Sequence, residues 1–199
     1  MKKYERISKG LAVMFWAQVI AAILDVVMTI WKNIGLFDVT PMNDVIQLVG
    51  LTLCAVVNVI GLLVLARDID GCKKAVILLV IKNALEYLGD ELVLIKLASI
   101  VFSLMFTYCV IFSISKVFTD IDYPGVAAIG KNAWDYKIIS LIFAVVGVFL
   151  LVDVPIAGLI VLFVVVVLTC IHYIFYLRFL YLGYKVMNQH VSDAKDVVE

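Results

Sequence analysis

The chain has 199 residues, 65% of them hydrophobic, with 16 Lys and Arg balancing 16 Asp and Glu and a mean hydropathy of +1.13. A soluble domain of this length cannot bury so much apolar surface, so lipid must cover the remainder. Net charge is zero, which leaves no basic face for nucleic acid, and Cys54, Cys72, Cys109 and Cys170 form no C-x-x-C pair, the pattern of small apolar residues rather than a disulfide or metal framework.

The first predicted span covers residues 10–31. It follows the basic start MKKYERISKG without a small-residue cleavage site, as expected of a retained helix rather than a secretory signal. Gln18, Asp25 and Lys32 recur every seven residues along it, so they share a face. Ala17 and Ala21 form a small-xxx-small pair that permits close approach of a partner helix. The second span, 45–66, carries Gln47, Cys54 and Asn58 on one side. The third, 74–88, is short for a hydrocarbon core of about 30 Å and contains Lys82, Asn83 and Glu86. In the fourth, 92–117, Lys96, Ser99, Ser103 and Thr107 follow helical spacing.

Within 119–136, Pro124-Gly125 predicts a turn, and 126–134 a short amphipathic stretch on the membrane surface. The fifth span, 137–154, is apolar from 141 to 152 and is expected at the periphery of the bundle. The sixth, 156–181, places Thr169, His172 and Tyr176 on one face, with His172 expected as a satisfied packing residue. Residues 182–199 are expected to form a cytoplasmic tail. The chain reads as one all-α transmembrane domain, 1–199, made of three helical hairpins at about 10–66, 74–117 and 137–181.

Orientation follows from the basic residues. Thirteen of the 16 fall in four groups: Lys2, Lys3, Arg6 and Lys9; Arg67, Lys73 and Lys74; Lys116, Lys131 and Lys137; and Arg178, Lys185 and Lys195. Basic residues in short loops face the cytoplasm, which predicts six crossings with both termini inside. Few cysteines and a basic start fit a bacterial cytoplasmic membrane. Lys9 and Asp25, Lys74 and Asp90, and Lys137 and Asp153 are each 16 residues apart, about 24 Å along a helix, as if one hairpin were repeated three times.

Polar groups inside the spans carry the functional expectation, because each is costly in lipid and tends to face the bundle interior or a wet cavity. Counted from the nearest basic group at 1.5 Å per residue, Gln18, Asn58, Lys82, Thr107 and Thr169 all lie about 12–14 Å deep. Lys82, Asn83 and Glu86 are the expected solute site, Gln18, Asp25 and Asn58 its lining, and Thr107 its base. Asp90, Glu91 and Asp153 form an acidic outer vestibule. No G-x-S-x-G, H-E-x-x-H or glycine-rich phosphate loop occurs, so no catalytic residue, cofactor or metal ligand is assigned and enzymatic activity is not expected.

Two function classes remain. One binds or translocates a small polar or ionic solute through the bundle. The other is a non-transporting membrane interaction protein, such as an assembly factor, a toxin immunity protein or a partner subunit, acting on another membrane protein or on a second copy of itself. In size, six spans, inside termini and the Ala17/Ala21 pair, the chain resembles the substrate-capturing membrane subunits of energy-coupling-factor vitamin transporters. That resemblance implies that Ala17 and Ala21 dock a transmembrane coupling subunit. The outer loops here are shorter than in that family, and no ligand-specific signature is present.

Overall fold

The computed structural model describes residues 2–34, 40–88 and 93–196. They form α1 (Lys2–Ile34), α2 (Thr40–Ala66), α3 (Asp70–Leu88), α4 (Val93–Asp120), α5 (Pro124–Asp153) and α6 (Pro155–Asp196). Among the described residues, α1, α2, α4, α5 and α6 contain segments long and apolar enough to cross a membrane. α3 is excluded by its composition, since its 19 residues include Asp70, Lys73, Lys74, Lys82 and Glu86. Leu94, Phe149, Val152 and Ile156 are each more than 70% exposed. Apolar surface on this scale needs lipid as its solvent, and the chain is a multi-pass membrane protein.

The helices cluster into two compact units, Met1–Val76 with Gly183–Glu199, and Ile77–Leu182. In the first unit α1 packs along α2. Ile7, Leu11, Met14 and Ala17 are buried on α1, at the three- and four-residue steps of a single helical face. Their counterparts on α2 are Leu62, Leu65 and Ala66. Backbone meets backbone where Gly10 faces Gly61, since a Cβ on either would lie 3.0 Å from the other's carbonyl oxygen.

Met187 and Val191 of α6 are buried in the same unit, and the Tyr4 and His190 rings meet edge to face with centroids 5.1 Å apart. The expected tail is therefore largely helix, continuing α6 to Asp196 and contributing to a core. Arg6 holds Asp68, in the α2–α3 connection, through Nε and Nη2 at 2.8 and 2.7 Å.

In the second unit α4 packs along α5. α4 ends in a Schellman turn: Tyr123 N–H donates to Phe118 O at 2.8 Å and Asp122 N–H to Thr119 O at 3.2 Å. Asp122 takes the left-handed conformation this turn requires, with φ 65, a conformation that Asp tolerates better than most side chains. Pro124 then opens α5 at its first turn, where a missing N–H costs nothing. The turn and separate surface stretch expected at 124–134 are thus corrected to the first third of one continuous 30-residue helix. At the other end, α6 begins two residues after α5 stops. A Cβ on Gly158 would sit 2.6 Å from the Leu151 backbone nitrogen, so the tight α5–α6 hairpin depends on glycine there.

Candidate functional site

A partly open cavity of about 300 Å³ lies within the second unit, lined by Lys82 of α3, Ser99 and Ser103 of α4, Lys137, Ser140 and Ala144 of α5, and Thr169 of α6. On α5 the lining residues Lys137, Ser140, Leu141 and Ala144 follow i, i+3, i+4, i+7 spacing, so one face of that helix forms a wall. The fifth helix had been expected at the periphery on the strength of its apolar run. The apolar run from 141 to 152 is indeed largely exposed, and only one face of the helix, where polar and small residues gather, meets the cavity.

Lys137 changes role for the same reason. It stands 13 residues into α5, about 20 Å from the helix start, and is part of the cavity wall instead of a loop charge. Lys82 of α3 and Lys137 of α5 both line this cavity.

The hydroxyls divide into two sets. Thr169 Oγ1 lies 2.8 Å from Val165 O and 2.9 Å from Ser140 Oγ, and Ser140 Oγ lies 3.4 Å from the same carbonyl, so the two hydroxyls share their protons between each other and Val165 O. This pair fixes α5 against α6 and is already satisfied. Ser99, buried, and Ser103, half-buried, line the cavity from α4. Deeper along α5 and α6, His172 Nδ1 contacts Ala133 O at 2.7 Å. A carbonyl can only accept, so Nδ1 carries the proton, and the ring stacks on Tyr176 with centroids 6.1 Å apart. His172 is the satisfied packing residue the sequence led one to expect.

No protein-family model, curated protein or solved structure matches this chain. The arrangement must therefore be read from its own geometry. Lys82 lines the cavity. Asn83, its neighbour on α3, is exposed and is not among the lining residues. Thr107 donates to Ser103 O at 2.9 Å within its own helix, one turn from the lining Ser103, and Asp153 is the exposed last residue of α5. The Glu86 side chain and residues Asp90 and Glu91 lie outside the described set.

Gln18, Asp25 and Asn58 belong to the first unit. Asp25 is exposed and Gln18 half-buried on α1, and Asn58 Oδ1 on α2 is buried with no hydrogen-bond partner among the described residues. Ala17 is buried inside its own unit, whereas Ala21 is partly exposed. Sequence reasoning passed over Lys137 and Ser140 as site residues. The signal that could have found them was the Lys137, Ser140, Ala144 spacing inside an otherwise apolar helix. Among the described residues no cluster of His, Cys, Asp and Glu is arranged to hold a metal ion.

Proposed function

We propose that this protein binds or translocates a small polar or ionic solute through the polar interior of its bundle. The observation that carries this reading is the cavity in which Lys82 and Lys137 meet the hydroxyls of Ser99, Ser103, Ser140 and Thr169. An ammonium group inside a membrane helix costs several kcal/mol unless it is hydrated or paired. Here two ammonium groups share one cavity with four hydroxyls drawn from α4, α5 and α6.

In this reading α3 is a sixth crossing and both termini face the cytoplasm, as the distribution of basic residues supports. Its 19 residues span about 28 Å, close to the hydrocarbon thickness; Lys82, within its apolar stretch, lines the cavity, while Asp70, Lys73 and Lys74 are exposed in its first turns.

The non-transporting class is favoured by a different observation. Thr52, Thr107 and Thr169 all donate to the carbonyl four residues back in their own helix, so these hydroxyls are satisfied without any ligand. The two classes separate on water access. In a background with the four native cysteines replaced by alanine, Lys82→Cys and Lys137→Cys are expected to react with a membrane-impermeant thiol reagent. Protection of both positions from either side, in protein that still folds, would make the cavity a packing void and the interaction class the better reading.

A further inference from the structure

We infer that the first unit carries a binding surface independent of the solute cavity: a basic patch formed by Lys2, Lys3, Arg67 and Lys74 that holds the phosphate-bearing headgroups of anionic lipids.

The patch is assembled by the fold from segments far apart in the chain. On α1, the exposed Lys2, Arg6 and Lys9 follow i, i+4, i+7 spacing, so they share one face, on the other side of the helix from the buried Ile7, Leu11 and Met14. Arg6 grips Asp68 through both of its carboxylate oxygens, which draws the α2–α3 connection onto this face together with the exposed Arg67 and Lys74. The Arg6 hydrogen bonds hold the Asp68 carboxyl below the ordinary carboxylate range, and the positive charges of Arg6, Lys3 and Arg67 act in the same direction. Lys3 and Arg67 therefore stand on either side of that pair.

The acids within the patch are already engaged. Asp68 accepts from Arg6, Glu5 from Lys9 at 2.8 Å and Asp70 from Lys73 at 2.7 Å. Among the described residues Lys2, Lys3, Arg67 and Lys74 form no ion pair. Residues 2–9, 67–74 and 183–199 of this unit hold nine basic residues against six acidic ones, so a positive excess remains even with every acid at the end of the chain counted. The α4–α5 turn of the second unit is different. There the exposed Lys116, Lys131 and Arg178 are matched by the exposed Asp120, Asp122 and Asp135.

Position selects a lipid headgroup over a soluble partner. Arg67 directly follows the apolar segment Leu48–Ala66, and Lys9 stands about 3 Å before Leu11, where the apolar run of α1 begins. Both lie at the depth of the headgroup layer, about 5–8 Å thick. Lys2 and Lys3, about 9–10 Å further along α1, remain within about one Debye length of that layer. A basic cluster beside a membrane span is the chemistry that attracts anionic lipid.

The three tryptophans allow each unit to report on its own lipid. Two single-tryptophan proteins are made by phenylalanine replacement, one keeping Trp16, exposed on α1, and the other Trp134, half-buried on α5. Each full-length protein is reconstituted in phosphatidylcholine vesicles containing brominated phosphatidylglycerol or brominated phosphatidylcholine, and quenching gives the relative affinity of the two lipids. Trp16 is expected to show a preference for phosphatidylglycerol of about fivefold, the equivalent of one basic contact at an anionic surface, declining as salt shortens the Debye length. Trp134 is expected to show none. Replacing Lys2, Lys3, Arg67 and Lys74 by Gln together should abolish the preference at Trp16. Equal quenching of Trp16 by both lipids overturns the proposal and turns the patch over to an acidic protein partner. An equal preference at Trp16 and Trp134, or one that survives the fourfold replacement, overturns the assignment to this patch. The headgroup and salt comparisons on the two single-tryptophan proteins decide the matter even if the fourfold variant fails to fold.

Discussion

Asp68 shows how one side chain ties stability to pH. The Arg6 guanidinium donates two charge-assisted bonds to it, and this hydrogen bonding, with a smaller contribution from neighbouring positive charges, holds its carboxyl below the ordinary carboxylate range. A group whose folded pKa is depressed contributes stability above its unfolded value, about 3.9 for Asp, and loses it as pH falls through the folded value. Asp68→Asn is therefore expected to lower the melting temperature at neutral pH, with the gap from wild type closing in strong acid. An equal deficit at both ends of a pH series of melting curves would mean that the carboxylate charge is not what holds the α2–α3 connection.

At this scale the sequence was only partly informative about the site. Lys82 stood out because a charge in an apolar run has a cost that demands a reason. Lys137 did not, because it follows Lys131 and Asp135 at the edge of an apolar run and is read equally well as a loop charge.

Two turns make the helices what they are. Gly158 allows α6 to leave α5 against the Leu151 backbone, and backbone cannot yield as a flexible side chain can. Gly158→Val should cost about 1–3 kcal/mol, read as a fall in melting temperature, and wild-type stability in that variant would show the hairpin to be looser than described. Asp122 carries the positive φ that ends α4. There, Asp122→Val should destabilise by about 1–2 kcal/mol, whereas Asp122→Gly should be neutral or stabilising by the same measurement.

The order of the helices, and the five apolar enough to cross a membrane, were legible from hydropathy alone, since apolar runs separated by charged loops admit few other arrangements. The start of α5 was not, because Pro-Gly signals a turn while proline also suits the first turn of a helix. What decides between them is the Schellman turn immediately before it, made of backbone bonds that leave no sequence pattern beyond a single Asp. The wall formed by α5 was hidden for a related reason: 15 consecutive mostly apolar positions conceal a face of small and polar groups unless spacing is read alongside hydropathy.

For the whole molecule, composition was enough to require lipid, and it was silent on how the helices divide into units. The contacts that define the first unit join Arg6 to Asp68 and Tyr4 to His190, residues far apart in the chain with no shared periodicity. A test at this scale uses Tyr4→Cys with His190→Cys in the cysteine-free background. A short bifunctional maleimide is expected to join the two positions within one chain and produce a faster-migrating band on a denaturing gel. Absence of an intrachain product, with each single cysteine still reactive, would detach the end of α6 from the first unit.

The discontinuity of that unit also has a consequence in time. Its two pieces are separated by the 106 residues 77–182, which a ribosome needs about 5–20 seconds to add at roughly 5–20 residues per second. Throughout that interval α1 and α2 have been made without Met187 and Val191 to close over their core. A ribosome stalled before residue 183 should therefore present a protease or an insertion chaperone with an unfinished first unit and a second unit whose residues have all been made.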